Sequence, residues 1–168
     1  MKTAQQYIDS LRQRKIKVYL KGQLLDPQTL VDHPFIRGHV ASAALTYDLA
    51  HEPESEELMT VSSHLNGNRI NRFTHIHQSV DDLIDKVKML RMISQKTGTC
   101  YQRCVGFDAL NSLYTVTFEM DEALQTDYHR KFVKFLTYVQ ENDLMVAGAM
   151  TDTKGDRSLR PGQQPDPD

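Results

Sequence analysis

Cys100 and Cys104 are the only cysteines in the 168 residues, and they stand four apart in Thr99-Cys100-Tyr101-Gln102-Arg103-Cys104. On an α-helix, positions i and i+4 share a face one turn apart, so two thiolates there could ligate one metal centre from one side. The same spacing also fits two small buried thiols that behave as inert hydrophobes. A C-x3-C pair lacks the second local pair that defines a zinc site. A disulfide suits neither a reducing compartment nor two residues on one helical turn.

Two further stretches carry groups that could do chemistry. His75-Ile76-His77 places two imidazoles on one face of an extended segment, a spacing that metal pairs use. No carboxylate or third ligand adjoins them in sequence, so the simpler reading is surface or capping histidines. His33 before Pro34 and His129 at a helix start have structural readings of the same kind. The second stretch is Met150-Thr151-Asp152-Thr153-Lys154-Gly155-Asp156-Arg157-Ser158. It is polar, contains a glycine and hydroxyls, and offers main-chain N–H groups to a flavin edge or a phosphate; a plain surface loop reads the same way.

The elements that must position these groups are mostly helical. Thr3-Ala4-Gln5-Gln6 is a capping box opening a helix over residues 3–14. Two short apolar runs flank Lys21-Gly22, which predicts a hairpin, and a second hairpin or paired loop is expected about Asn66-Gly67-Asn68. Asp32-His33-Pro34 is a turn before a helix over residues 38–51, which Pro53 ends. Ser79, followed by Asp81 and Asp82, is the N-cap of a helix whose apolar residues Val80, Leu83, Ile84, Val87, Leu90 and Ile93 recur at helical spacing. Gly98 breaks it, and the next helix, residues 99–124, carries both cysteines and an expected buried stripe of Val105, Ala109, Leu113, Val116 and Met120. Gly106 within that helix implies close approach by another helix or a cofactor, since glycine there costs about 1 kcal/mol against alanine. A last helix over residues 127–142 sets Phe132, Phe135, Leu136 and Val139 on one face. The chain reads as mainly α with one or two short β-hairpins.

Composition narrows the function classes. A net charge of −2 argues against a nucleic-acid surface. No run of 18 apolar residues is present and the N-terminus has no apolar signal core, so the expectation is a cytoplasmic protein with no membrane segment. Residues 155–168 hold Gly, Pro, Asp and Gln and almost nothing apolar. Such a segment forms no packed element alone. The expected division is a helical domain over residues 1–145, with 146–168 as linker and the start of a truncated β domain.

Several segments together resemble the N-terminal part of the 4-hydroxyphenylacetate 3-hydroxylase / 4-hydroxybutyryl-CoA dehydratase family. They are residues 3–14 with Val18-Tyr19 and Gly22, Asp32-His33-Pro34 with Arg37, Tyr47-Asp48-Leu49-Ala50, Asn71-Arg72-Phe73, Gln95-Lys96-Thr97 and residues 150–157. The resemblance covers essentially the whole chain. It implies the helical N-terminal domain of the acyl-CoA dehydrogenase-like fold, with Met150-Thr151-Asp152 similar to the flavin-contacting loop that opens the middle β domain. Met150, Thr151, Asp152, Lys154, Gly155, Asp156 and Arg157 would then contact FAD.

Within that family, Cys100-Tyr101-Gln102-Arg103-Cys104-Val105-Gly106 and Thr126-Asp127-Tyr128-His129 resemble the dehydratase branch, which has Cys-x3-Cys at this place. The resemblance implies that Cys100 and Cys104 ligate a [4Fe–4S] cluster, with Gln102 beside the active site. A His and a Cys far downstream would complete the ligand set, beyond this chain, so the chain is expected to be an N-terminal fragment. The implied reaction is dehydration of 4-hydroxybutyryl-CoA to crotonyl-CoA, with vinylacetyl-CoA isomerisation. The implied partners are an acyl-CoA substrate, the remainder of the same polypeptide and further copies in a homotetramer. The other branch implies a flavin-dependent aromatic hydroxylase, which needs no such cysteines. A domain with no activity of its own is the third reading.

Overall fold

The computed structural model describes residues 1–148 and 155–165. Helix α1 (Ala4–Arg12) opens on the expected capping box, with the Thr3 hydroxyl accepting from the Gln6 N–H and the Gln6 amide oxygen accepting from the Thr3 N–H. It runs antiparallel to α2 (Arg37–Asp48). Tyr7 stacks on Tyr47 with ring centroids 4.8 Å apart, and the Ala4 N–H donates to Asp48 at 2.7 Å. Between them lie the small hairpin β1 (Tyr19–Leu20) and β2 (Gln23–Leu24) and a 3-10 turn, Leu30–Asp32.

A short helix that the sequence did not reveal, α3 (Glu56–Met59), leads into the second hairpin, β3 (Thr60–Ser62) with β4 (Arg69–Asn71). The strands are antiparallel, with Val61 opposite Ile70. A 3-10 turn, Arg72–Thr74, follows. Helix α4 (Val80–Thr97) has a reciprocal cap between Ser79 and Asp82, and Gly98 ends it in the left-handed region at φ 62°. Helices α5 (Cys104–Leu124) and α6 (Tyr128–Glu141) pack together as a hairpin. The turn between them is fastened by Asp121, whose carboxylate accepts from the Thr126 hydroxyl and from the Tyr128 and His129 N–H groups. The N-terminus of α6 is thus capped from the preceding helix rather than from Asp127, whose side chain makes no capping bond.

The core is gathered where α2, α4 and the start of α5 meet the 3-10 turn after β4. Leu49, Met59, Phe73, Met89, Ile93, Tyr101 and Phe107 are buried there in one cluster. Smaller clusters hold α1 on α2 and α6 on α5.

Two expectations need correcting. First, α5 begins at Cys104, not at residue 99, so the cysteines do not share a helical face. Gln102 takes φ 65°, a left-handed conformation that no helix continues through. Second, the buried residues of α5 are Gly106, Phe107 and Leu110. The expected stripe is largely outside: Val105, Leu113 and Val116 are exposed, while Ala109 and Met120 are half-buried. Phe135 on α6 is exposed too, as are Val80, Leu83, Ile84 and Val87 on α4. The pattern was read with the right period, but its apolar face has no covering layer among the described residues.

Candidate functional site

The segment from Cys100 to Cys104 alternates in burial. Tyr101 and Arg103 point inward at 5% and 1% exposure, Cys100 and Gln102 are exposed, and Cys104 is half-buried. Tyr101 lies against Phe73 with ring centroids 5.9 Å apart. Arg103 is sandwiched between the rings of Tyr47 and Phe73, with its guanidinium carbon 4.4 and 4.5 Å from their centroids. Its Nη1 donates to the Thr46 hydroxyl at 3.0 Å, and Nη2 stands 3.9 Å from the buried Asp143 carboxylate. Two anchored side chains thereby force the intervening ones outward. Neither sequence period nor spacing signalled Arg103; a lone arginine inside an otherwise uncharged stretch was the available cue.

Burial raises the Tyr101 hydroxyl pKa. A hydrogen bond with Ser94 opposes this. The carbonyl of Cys100 also accepts from the Ser42 hydroxyl of α2, at 3.4 Å. Tyr47, on the other side of Arg103, is pushed up to about 12, chiefly by burial, with the Arg103 cation pulling the other way.

The close approach expected at Gly106 is present, and it comes from the backbone at Val146 rather than from another helix. A Cβ there would sit 1.9 Å from the Val146 carbonyl oxygen, and one at Gly148 would sit 2.2 Å from Val105 Cγ1. The chain just before the polar loop is thus pressed onto the first turn of α5, directly after Cys104. Met150, Thr151, Asp152 and Lys154 lie outside the described residues. Gly155, Asp156 and Arg157 are exposed, and the local contacts run to Ser158 and Gln164: Asp156 exchanges two backbone–side-chain bonds with Gln164, and its carboxylate accepts from Ser158. These three residues are not brought against the cysteines.

The histidine pair also differs from expectation. His75 is buried, and its Nε2 lies 3.2 Å from Asp82, the same residue that caps α4. Asp82 in turn lies 3.6 Å from the buried Arg72 guanidinium. Desolvation lowers the His75 pKa, against the opposing pull of Asp82, and lowers that of His77 too. Among the described residues, no group of three or more His, Cys, Asp or Glu side chains is placed to hold a metal ion.

Residues 3–168 match the family model described as 4-hydroxyphenylacetate 3-hydroxylase N terminal. The chain belongs to that family. Among family relatives, the 4-hydroxybutyryl-CoA dehydratase/vinylacetyl-CoA-Δ-isomerase of Clostridium aminobutyricum is 52% identical over 99% of this chain and 34% of its own length. The oxygenase component of 4-hydroxyphenylacetate 3-monooxygenase from Thermus thermophilus is 26% identical over 99% of this chain and 33% of its own length. Among solved structures, an oxygen-tolerant archaeal 4-hydroxybutyryl-CoA dehydratase from N. maritimus superposes with a TM-score of 0.86 at 50% identity, over 99% of this chain and 33% of that one. The oxygenase component of a 4-hydroxyphenylacetate 3-monooxygenase, complexed with FAD and 4-hydroxyphenylacetate, superposes with a TM-score of 0.71 at 22% identity, over 99% of this chain and 34% of that one. This family's N-terminal region is the helical domain of an acyl-CoA dehydrogenase-like fold. The chain spans about a third of the length of the relatives it matches.

Proposed function

We propose that this chain forms one flank of the active site in a flavin- and iron–sulfur-dependent enzyme that dehydrates 4-hydroxybutyryl-CoA to crotonyl-CoA and isomerises vinylacetyl-CoA. The observation that carries the reading is the pair of free thiols, Cys100 exposed and Cys104 half-buried, on either side of the anchored Tyr101 and Arg103 at the start of α5. The 52% identity to a dehydratase supports it. Soft thiolates are the donors that iron–sulfur clusters select; Cys100 is exposed, and Cys104 packs partly against the main core cluster without being fully buried. They fit half of a [4Fe–4S] ligand set, the other ligands lying outside this chain.

When bound, the cluster supplies Lewis acidity toward the substrate hydroxyl and FAD supplies one-electron transfer, which together ease loss of an unactivated β-hydrogen. The protein's own part is placement. Tyr101 and Arg103 fix the backbone so that Cys100 and Cys104 stay accessible as ligands. Gln102, exposed between those anchors and held at φ 65°, offers an amide to orient the substrate. Met150, Thr151, Asp152, Lys154, Gly155, Asp156 and Arg157 contribute main-chain N–H groups and polar side chains to FAD. The bare apolar faces of α4, α5 and α6 support packing against the remainder of the same polypeptide.

The visible spectrum of the anaerobically purified protein, at the length of its relatives, is the test. Flavin bands over broad iron–sulfur absorption are expected. Flavin alone, or a colourless protein that uses free reduced flavin, would replace this reading with the aromatic hydroxylase.

A further inference from the structure

The basic hollow at the end of α1 plays no part in the site described above. Arg12, Arg14, Lys15 and Lys17 fall within six residues and line a depression of about 530 Å³, with Ile16 and Pro27 on its walls. Arg12 is paired with Asp9 and Asp32. Arg14, Lys15 and Lys17 are exposed and have no carboxylate within ion-pair distance among the described residues. These three cations line one hollow in a chain whose net charge is −2. They follow the C-terminus of α1, where the helix carbonyls already favour positive charge, but that tendency does not require a concave surface.

The hollow is also placed to share a ligand with the cysteine segment. Because α1 and α2 are antiparallel, the end of α1 lies beside the chain leading into α2, as the Arg12–Asp32 pair shows at 3.1 Å. Ser42, in the N-terminal half of α2, meets the Cys100 carbonyl. The basic hollow and Cys100 therefore both lie toward the N-terminal half of one helix. A ligand with a phosphorylated nucleotide at one end, a long flexible arm and a reactive acyl group at the other matches that arrangement.

We propose that Arg14, Lys15 and Lys17 bind the 3′-phosphoadenosine diphosphate end of coenzyme A, with Ile16 and Pro27 beside the base. This rests on the acyl-CoA reading above and adds the subsite. Coenzyme A, dephospho-coenzyme A and 3′-phosphoadenosine 5′-phosphate are titrated calorimetrically into the 168-residue chain at low and high salt. The comparison variants are the triple substitution Arg14→Gln/Lys15→Gln/Lys17→Gln and a control, Lys131→Gln/Lys134→Gln, on exposed positions of α6. Coenzyme A and 3′-phosphoadenosine 5′-phosphate are expected to bind, more weakly as salt rises. Dephospho-coenzyme A and the triple variant should each lose affinity by about tenfold, and the control by none. Circular dichroism of the triple variant should be unchanged, since these side chains support no core. Absence of coenzyme A binding, equal binding of dephospho-coenzyme A, or undiminished binding by the triple variant would overturn the subsite. The iron and flavin spectrum is read independently, so a failed subsite is distinguishable from a failed dehydratase reading.

Discussion

Arg103 is the residue on which the proposed site's geometry depends. It is a cation at 1% exposure whose Nε and Nη2 find no hydrogen-bond partner among the described residues. Two aromatic faces and Asp143 compensate it. Its removal empties the space between two rings and takes the cation from the Asp143 carboxylate, which keeps its bond from the Lys2 N–H, so Arg103→Ala should destabilise the chain by about 3 kcal/mol. Urea denaturation measures that directly. A change below 1 kcal/mol would mean that Tyr101 alone anchors the cysteine segment. Gly106 is the second sensitive position. Gly106→Ala sets a methyl against the Val146 backbone and should cost about 1–3 kcal/mol, although alanine is the better helix former.

His75 carries the pH dependence at this scale. Its folded pKa lies below the ordinary 6.5 because burial disfavours the imidazolium. The unfolded chain then binds more protons, so stability rises with pH through this window and falls as pH drops below about 6.5 toward the folded value. Asp82 acts in the same direction at lower pH, since its pKa is also lowered in the fold despite an opposing cost of burial; hydrogen bonds from Gln78 and Ser79, and the nearby His75, favour its charged form. The His75→Phe variant should show a flatter dependence of denaturation midpoint on pH between about 5 and 7; an unchanged slope would remove His75 from the account.

At the scale of elements, local chemistry was legible wherever it is self-contained. The Thr3 and Ser79 caps and the Gly98 stop follow from residues within four positions of one another, and both hairpins from strands adjacent in the chain. What could not be read depends on distant partners. The start of α5 moved from residue 99 to Cys104 because Tyr101 and Arg103 are claimed by Phe73, Tyr47 and Thr46, which override helical spacing. Asp82 escaped notice as the partner of His75 because it also caps α4. The resemblance to the family singled out the cysteines as candidate ligands; spacing alone left them open.

The bare face of α5 is tested at this scale as well. Leu113 and Val116 are each nearly half exposed. In the 168-residue chain, Leu113→Gln with Val116→Gln should change stability by no more than about 0.5 kcal/mol per site. In the polypeptide of its relatives' length, the same pair should lower the melting temperature, because the proposal buries that face. Equal effects in both proteins would leave the face a solvent surface.

For the whole molecule, no helix among the described residues is long and apolar enough to cross a membrane. The structure is a helical platform whose chemistry is concentrated at its periphery. An exposed Cys100 beside a half-buried Cys104, a basic hollow and uncovered apolar helices fit the proposal that this domain completes its site against more protein. Two thiolates are half of a cluster's ligands, so the 168-residue chain should retain neither cluster nor flavin after anaerobic reconstitution and desalting.

The central claim is that Cys100 and Cys104 ligate iron. Iron content, measured on the anaerobically purified protein of relatives' length together with crotonyl-CoA formation on the same preparations, tests it most directly. Cys100→Ala and Cys104→Ala should each lose iron and activity together while far-ultraviolet circular dichroism stays unchanged, since neither side chain is fully buried. Full iron and full activity with either cysteine removed would contradict the assignment and return the pair to ordinary thiols.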